Sequence, residues 1–102
     1  MADKLPNVTP WSKAFGAALR EVMKSRGVTQ AAVAEKIDRQ QSYVSERLAG
    51  KRAVDTDVIA GVALVAGVDA RTIARETLAL MPKPVDLPAR RPRSLGKPGA
   101  LQ

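Results

Sequence analysis

Gln41, Ser42, Ser45 and Glu46 bring an amide, two hydroxyls and a carboxylate into one short stretch, and Gly50-Lys51-Arg52 follows closely. These groups donate and accept hydrogen bonds. They lack the neighbours that bond-making chemistry needs. The chain has no histidine and no cysteine, which removes the commonest general base, the commonest metal ligand and any thiolate site. Its acids are scattered, with no paired carboxylates, no metal-ligand spacing and no nucleophile elbow. The chemistry on offer is noncovalent recognition beside a pair of cations. No catalytic residue, metal or cofactor is expected, and the chain is not read as an enzyme.

Two short helices must position these groups. Thr29 caps the first, whose buried positions are Val33, Ala34 and Ile37, and which ends near Asp38. The second runs from about Gln40 to Ala49 with Val44 and Leu48 inward, and Gly50 stops it. Ala34 lets the two helices approach closely, and Val44 packs back against the first. This leaves Gln41, Ser42, Ser45 and Glu46 on the outward side. Two helices joined by a tight turn are the layout that sets one helix into a DNA major groove.

Three further helices complete the reading. Thr9-Pro10 opens the first, with Trp11, Phe15, Ala18, Leu19, Val22 and Met23 as its apolar stripe and Gly27 as its stop. Trp11 and Phe15 are therefore expected in the core rather than as a platform for stacked bases. Asp55 or Thr56 caps the fourth helix, which buries Val58, Ile59, Val62, Ala63 and Ala66 and ends at Gly67. Asp69 caps the fifth, with Ile73, Thr77 and Leu80 on one side. Thr29 and Asp69 are read as caps, not as reactive groups. No segment alternates with a period of two, so no sheet is expected.

The chain has 102 residues, 45% hydrophobic but only 3% aromatic, with a net charge of +7. One domain with a core of small aliphatic side chains fits that length. The charge favours a polyanionic partner. The longest apolar run, residues 58–68, is too short to span a bilayer. The N-terminus lacks a signal peptide's apolar segment, and a cytoplasmic protein with no membrane role is expected. Residues 1–8 read as a disordered lead, 9–81 as the domain and 82–102 as a disordered tail. The tail holds five of the seven prolines and five cations against Asp86 alone, a net +4.

The segment from about Trp11 to Leu80 resembles the Cro/C1-type (XRE-like) helix-turn-helix family, which includes phage repressors and Cro-like proteins. Thr29-Gln30, Val33-Ala34, Ser42-Tyr43-Val44-Ser45 and Gly50-Lys51-Arg52 carry the likeness. It implies an all-α, five-helix lambda-repressor-like domain that binds double-stranded DNA, most simply as a repressor, with a homodimer on a two-fold operator. The resemblance places Gln30 on a phosphate, Gln41, Ser42 and Glu46 at base edges, and Gln40 among the DNA-binding residues. Gln41 suits adenine and Glu46 a cytosine amino group. Tyr43 and Ser45 would reach phosphate or sugar, while Arg39, Arg47, Lys51 and Arg52 would hold the backbone. Two positions depart from the family pattern. Asp38 stands where glycine is usual in the turn, and Arg47 stands where an apolar residue is common. The dimer surface is expected around Val65, Val68 and Ile73.

An antitoxin-type interaction module is the alternative, with the tail holding a protein partner. As a mobile arm on DNA, the tail would attract phosphates without reading bases. Deleting residues 82–102 is then expected to preserve site preference and to lower affinity at low salt. The effect should fade as salt rises. Affinities of full and truncated proteins across a salt series check this, and unchanged affinity and slope would remove the arm.

Overall fold

The computed structural model describes residues 8–82, so the expected lead (except Val8) and tail (except Pro82) lie outside the described residues. Five helices follow in order: α1 Pro10–Arg26, α2 Gln30–Lys36, α3 Gln41–Leu48, α4 Thr56–Ala66 and α5 Ala70–Leu80. There is no strand among the described residues. The domain is the expected all-α, lambda-repressor-like arrangement.

Four side-chain caps start the helices. Thr9 Oγ1 accepts from Ser12 N–H at 3.1 Å, Thr29 Oγ1 from Ala32 N–H at 3.1 Å, and Asp55 Oδ1 from Val58 N–H at 3.0 Å. Asp69 Oδ1 accepts from Arg71 N–H at 2.7 Å. Each satisfies a backbone donor that the first helical turn leaves free. Helix α3 starts without one, since Gln40 makes no side-chain cap bond.

The helices pack in a closed circuit, α1 on α3, α3 on α2, α2 on α4, α4 on α5 and α5 back on α1. Leu19, Val22, Val33, Val44, Val58, Val62, Ile73 and Thr77 are fully buried where these contacts converge. Thr77 stays in the core because its hydroxyl donates to the Ile73 carbonyl at 2.7 Å, which removes the cost of an unpaired polar group. Two glycines permit the tight crossings. A β-carbon on Gly16 would lie 2.8 Å from the Arg47 carbonyl oxygen, and one on Gly61 would lie 2.6 Å from Ile37 Cγ2. Periodicity alone does not reveal either approach.

Three expectations change. Trp11 is 38% exposed: it sits in the first turn of α1, beyond the edge of the core, and stacks on Phe15 at 5.4 Å. Leu80 is exposed because α5 ends there; Met81 is extended and is buried in its place. Ile73 is sealed inside its own domain, so it cannot pair with a second copy, although Val65 and Val68 remain half-buried. Helix boundaries otherwise shift by a residue or two. No helix among the described residues is long and apolar enough to cross a membrane.

The turn between α2 and α3 is set by Asp38, whose φ is +59°. Its N–H bonds to the Glu35 carbonyl at 3.2 Å, and the Arg39 N–H reaches back to the Ala34 carbonyl at 2.9 Å. This is a Schellman ending with aspartate in the left-handed position. Gly27, Gly50 and Gly67 hold the corresponding place after α1, α3 and α4. Asp tolerates that conformation and a β-branched residue does not. Asp38→Val should therefore lose about 1–2 kcal/mol, lowering Tm by roughly 4–8 °C per kcal/mol for a domain of this size. Asp38→Gly should melt at or near the wild-type temperature. Thermal melts that rank the variants the other way would contradict the turn geometry.

Candidate nucleic-acid interface

Helix α3 has only eight residues, too few to be stable alone in water. Its inward side anchors it through Val44 and Leu48, 0% and 3% exposed. Gln40, Gln41 and Ser42 are exposed, and Ser45 and Glu46 are half-buried. The Ser45 hydroxyl donates to the Ser42 carbonyl at 3.3 Å. Among the described residues, no internal hydrogen bond occupies the side chains of Gln40, Gln41 or Ser42.

A second anchor lies on the flank of α3. The Tyr43 hydroxyl donates to Asp55 Oδ2. One turn later, the Arg47 guanidinium lies 3.5 Å from the Tyr43 ring centroid and donates to the Tyr43 carbonyl at 3.0 Å. Arg47 Nε faces Asp55 Oδ2 at 3.4 Å, close enough for charge attraction but off the hydrogen-bond line. Arg39 also lies over the Tyr43 ring, at 4.6 Å. Asp55 therefore caps α4 with one oxygen and holds α3 with the other.

The Asp55 carboxyl reflects this double use. Partial burial pushes its pKa up, but the Tyr43 hydroxyl, the Val58 N–H and the Arg47 charge outweigh that and hold it below its ordinary value. The same bond to Asp55 raises the Tyr43 phenol.

The eleven polar positions expected at the site separate into two groups. Gln30 is half-exposed at the start of α2, beside the turn. Arg39, Gln40, Gln41, Ser42, Lys51 and Arg52 are exposed, while Ser45 and Glu46, at helical spacing from Gln41 and Ser42, are half-buried. Arg52 Nε lies 3.8 Å from Glu46 Oε1. The structure turns Tyr43 and Arg47 toward Asp55, so their polar atoms are engaged within the domain. Asp55 is legible in the sequence as a cap but not as a partner of α3. The spacing of Tyr43 and Arg47, four apart on one helical side, was the available signal.

The Asp55 geometry fixes a pH dependence. Because the folded pKa lies below the ordinary 3.8, the carboxylate's stabilisation is complete above that value. It is lost as pH falls through the folded pKa. Asp55→Ala should cost about 0.5–2 kcal/mol near neutral pH through the lost cap alone. Asp55→Asn keeps an acceptor for Val58, so it should cost less. Melts should show wild type and Asp55→Asn converging as pH falls below the ordinary 3.8 and through the depressed folded pKa. A gap that stays constant with pH would refute the coupling.

The comparisons agree with this geometry. The helix-turn-helix domain family matches residues 14–75. Two solved structures of the clp gene regulator ClgR from Corynebacterium glutamicum are similar at 28% identity. One has a TM-score of 0.55 and covers 72% of this chain and 78% of that one; the other has a TM-score of 0.56 and covers 78% and 99%. The restriction-modification controller protein C.AhdI from Aeromonas hydrophila is similar at 26% identity and a TM-score of 0.53, over 64% of this chain and 98% of that one. No curated protein matches the chain. Because the family match over residues 14–75 spans α2, the left-handed turn and α3 together, this chain belongs to the helix-turn-helix domain family and has the fold of its DNA-binding transcriptional regulators.

Proposed function

We propose that the protein is a sequence-specific double-stranded DNA-binding transcriptional regulator that acts as a repressor, in the manner of small phage repressors and Cro-like proteins. One observation carries this reading. Helix α3 is fastened from behind and from its flank, while Gln41, Ser42, Ser45 and Glu46 face outward beside Lys51 and Arg52. A helix fixed in this way can enter a major groove with its polar side intact.

The residues divide by task. Gln41, Ser42 and Glu46 read base edges, Gln41 through its two-headed amide and Glu46 as an acceptor. Gln30, Arg39, Ser45, Lys51 and Arg52 hold phosphate and sugar, and Gln40 sits where α3 enters the groove. Tyr43 and Arg47 serve by orienting α3. The protein works as a homodimer on DNA, with half-sites about one helical turn, roughly 34 Å, apart. The exposed Leu64, Leu78 and Leu80 of α4 and α5 supply apolar area for the pairing. ClgR is described as a gene regulator and C.AhdI as a controller of restriction-modification, which accords with control of transcription.

Selection on random duplex DNA tests the reading, since it reports binding, site symmetry and base preference together. A single unrepeated half-site would remove the dimer. On the selected site, Gln41→Ala should lose about 1–3 kcal/mol of discrimination while sparing bulk binding. Arg52→Ala should weaken all sequences alike and flatten the salt slope by about one unit. Two variants that behave identically on selected and random DNA would contradict the division between reading and holding.

A further inference from the structure

Lys13 lies in α1, well before the α3 surface in sequence. The fold brings it there. Helix α1 crosses the end of α3 at Gly16, whose α-carbon side faces the carbonyls of Arg47 and Leu48. One turn earlier, the Lys13 stem lies over Gly50. A β-carbon on Gly50 would meet Lys13 Cγ at 3.2 Å, Cβ at 3.6 Å and Cδ at 3.7 Å. Gly50 is followed directly by Lys51 and Arg52, and the Lys51 N–H is tied back to the Glu46 carbonyl at 2.9 Å.

Three features make this placement useful. The stem is laid on backbone, so the side chain has already lost part of the rotamer freedom that a lysine gives up when it is ordered. The residue as a whole remains exposed, leaving its charged end open to solvent. No carboxylate of the described residues forms an ion pair with it, whereas the nearby Arg52 has Glu46 at 3.8 Å. A purely structural role also exists, because a cation near the end of α3 complements the helix dipole. That role would act on stability. A phosphate contact would act on the salt dependence of binding.

We propose that Lys13 is a phosphate-holding residue, which with Lys51 and Arg52 forms one cation cluster bridging α1 and the loop after α3, and so extends the DNA surface onto α1. The proposal rests on the DNA-binding reading above and deepens it. The cluster holds the duplex backbone where the end of α3 leaves the groove. It carries no base preference, because a lysine presents a point charge.

The test uses the full chain and a random-sequence duplex over a series of salt concentrations. Lys13→Met keeps the stem on Gly50 and removes the charge. Lys13→Arg keeps the charge. Arg75→Met removes one charge from the exposed side of α5, which packs on α1 and α4. Lys13→Met should make the log–log salt slope shallower by about one unit, and Lys13→Arg should restore it. Arg75→Met should leave the wild-type slope. If Lys13→Met and Arg75→Met share the wild-type slope, the proposal falls while DNA binding stands. The same slopes with a lower Tm for Lys13→Met alone would assign Lys13 to the helix dipole and overturn the proposal. A wild-type protein without salt-dependent binding would remove the DNA-binding reading, and this inference with it.

Discussion

An eight-residue helix cannot sustain itself in water, and that limit organises the domain. Helix α3 exists because neighbours hold it: apolar contacts through Val44 and Leu48, α1 against its end at Gly16, and Asp55 on its flank through Tyr43 and Arg47. All of these supports approach from the inner side, the end or the flank, and none uses the outward groups. The short helix is thus kept in shape by contacts that a nucleic acid would not displace.

Arg47 shows how the small core manages a polar residue at a position where an apolar one is common in the family. Its side chain is 16% exposed, yet its charge has Asp55 nearby and its flat face lies on the Tyr43 ring. Stacking suits a weakly hydrated guanidinium. A lysine there would offer neither the plane nor the fork. Arg26 at the end of α1 and Glu76 in the middle of α5 form a forked pair, with Arg26 Nε donating to Glu76 Oε1 at 2.8 Å. That bond lowers the Glu76 pKa. The two arginines thus tie together elements that small aliphatic side chains alone connect weakly.

The sequence exposed the features that are local. Thr9, Thr29, Asp55 and Asp69 announce helix starts because a cap bonds within three residues of itself. Gly27, Gly50 and Gly67 announce ends because left-handed backbone selects glycine. Asp38 was legible for the same reason, as one of the few substitutes. Val44 and Leu48 followed from spacing on a helix. The hidden features are those that depend on how helices cross. Tyr43 and Asp55 are 12 apart in sequence, and Arg26 and Glu76 are 50 apart. Whether Leu80 or Met81 turns inward depends on where the last helical turn stops, which periodicity does not resolve. Gly16 and Gly61 look like ordinary helix residues until the neighbouring helix is present.

The separation of supports from the outward side of α3 has an evolutionary consequence. Gln41 and Ser42 contribute little to packing, so replacing them leaves the fold's stability nearly untouched. Gly16 is different, because any larger side chain there meets the Arg47 carbonyl. On the proposed reading, lineages change the sequence they recognise one surface residue at a time, while the angle at which α3 is presented stays under purifying selection. Related proteins descended from such an ancestor should diverge fastest at the outward positions of α3 and slowest at the glycine behind its end.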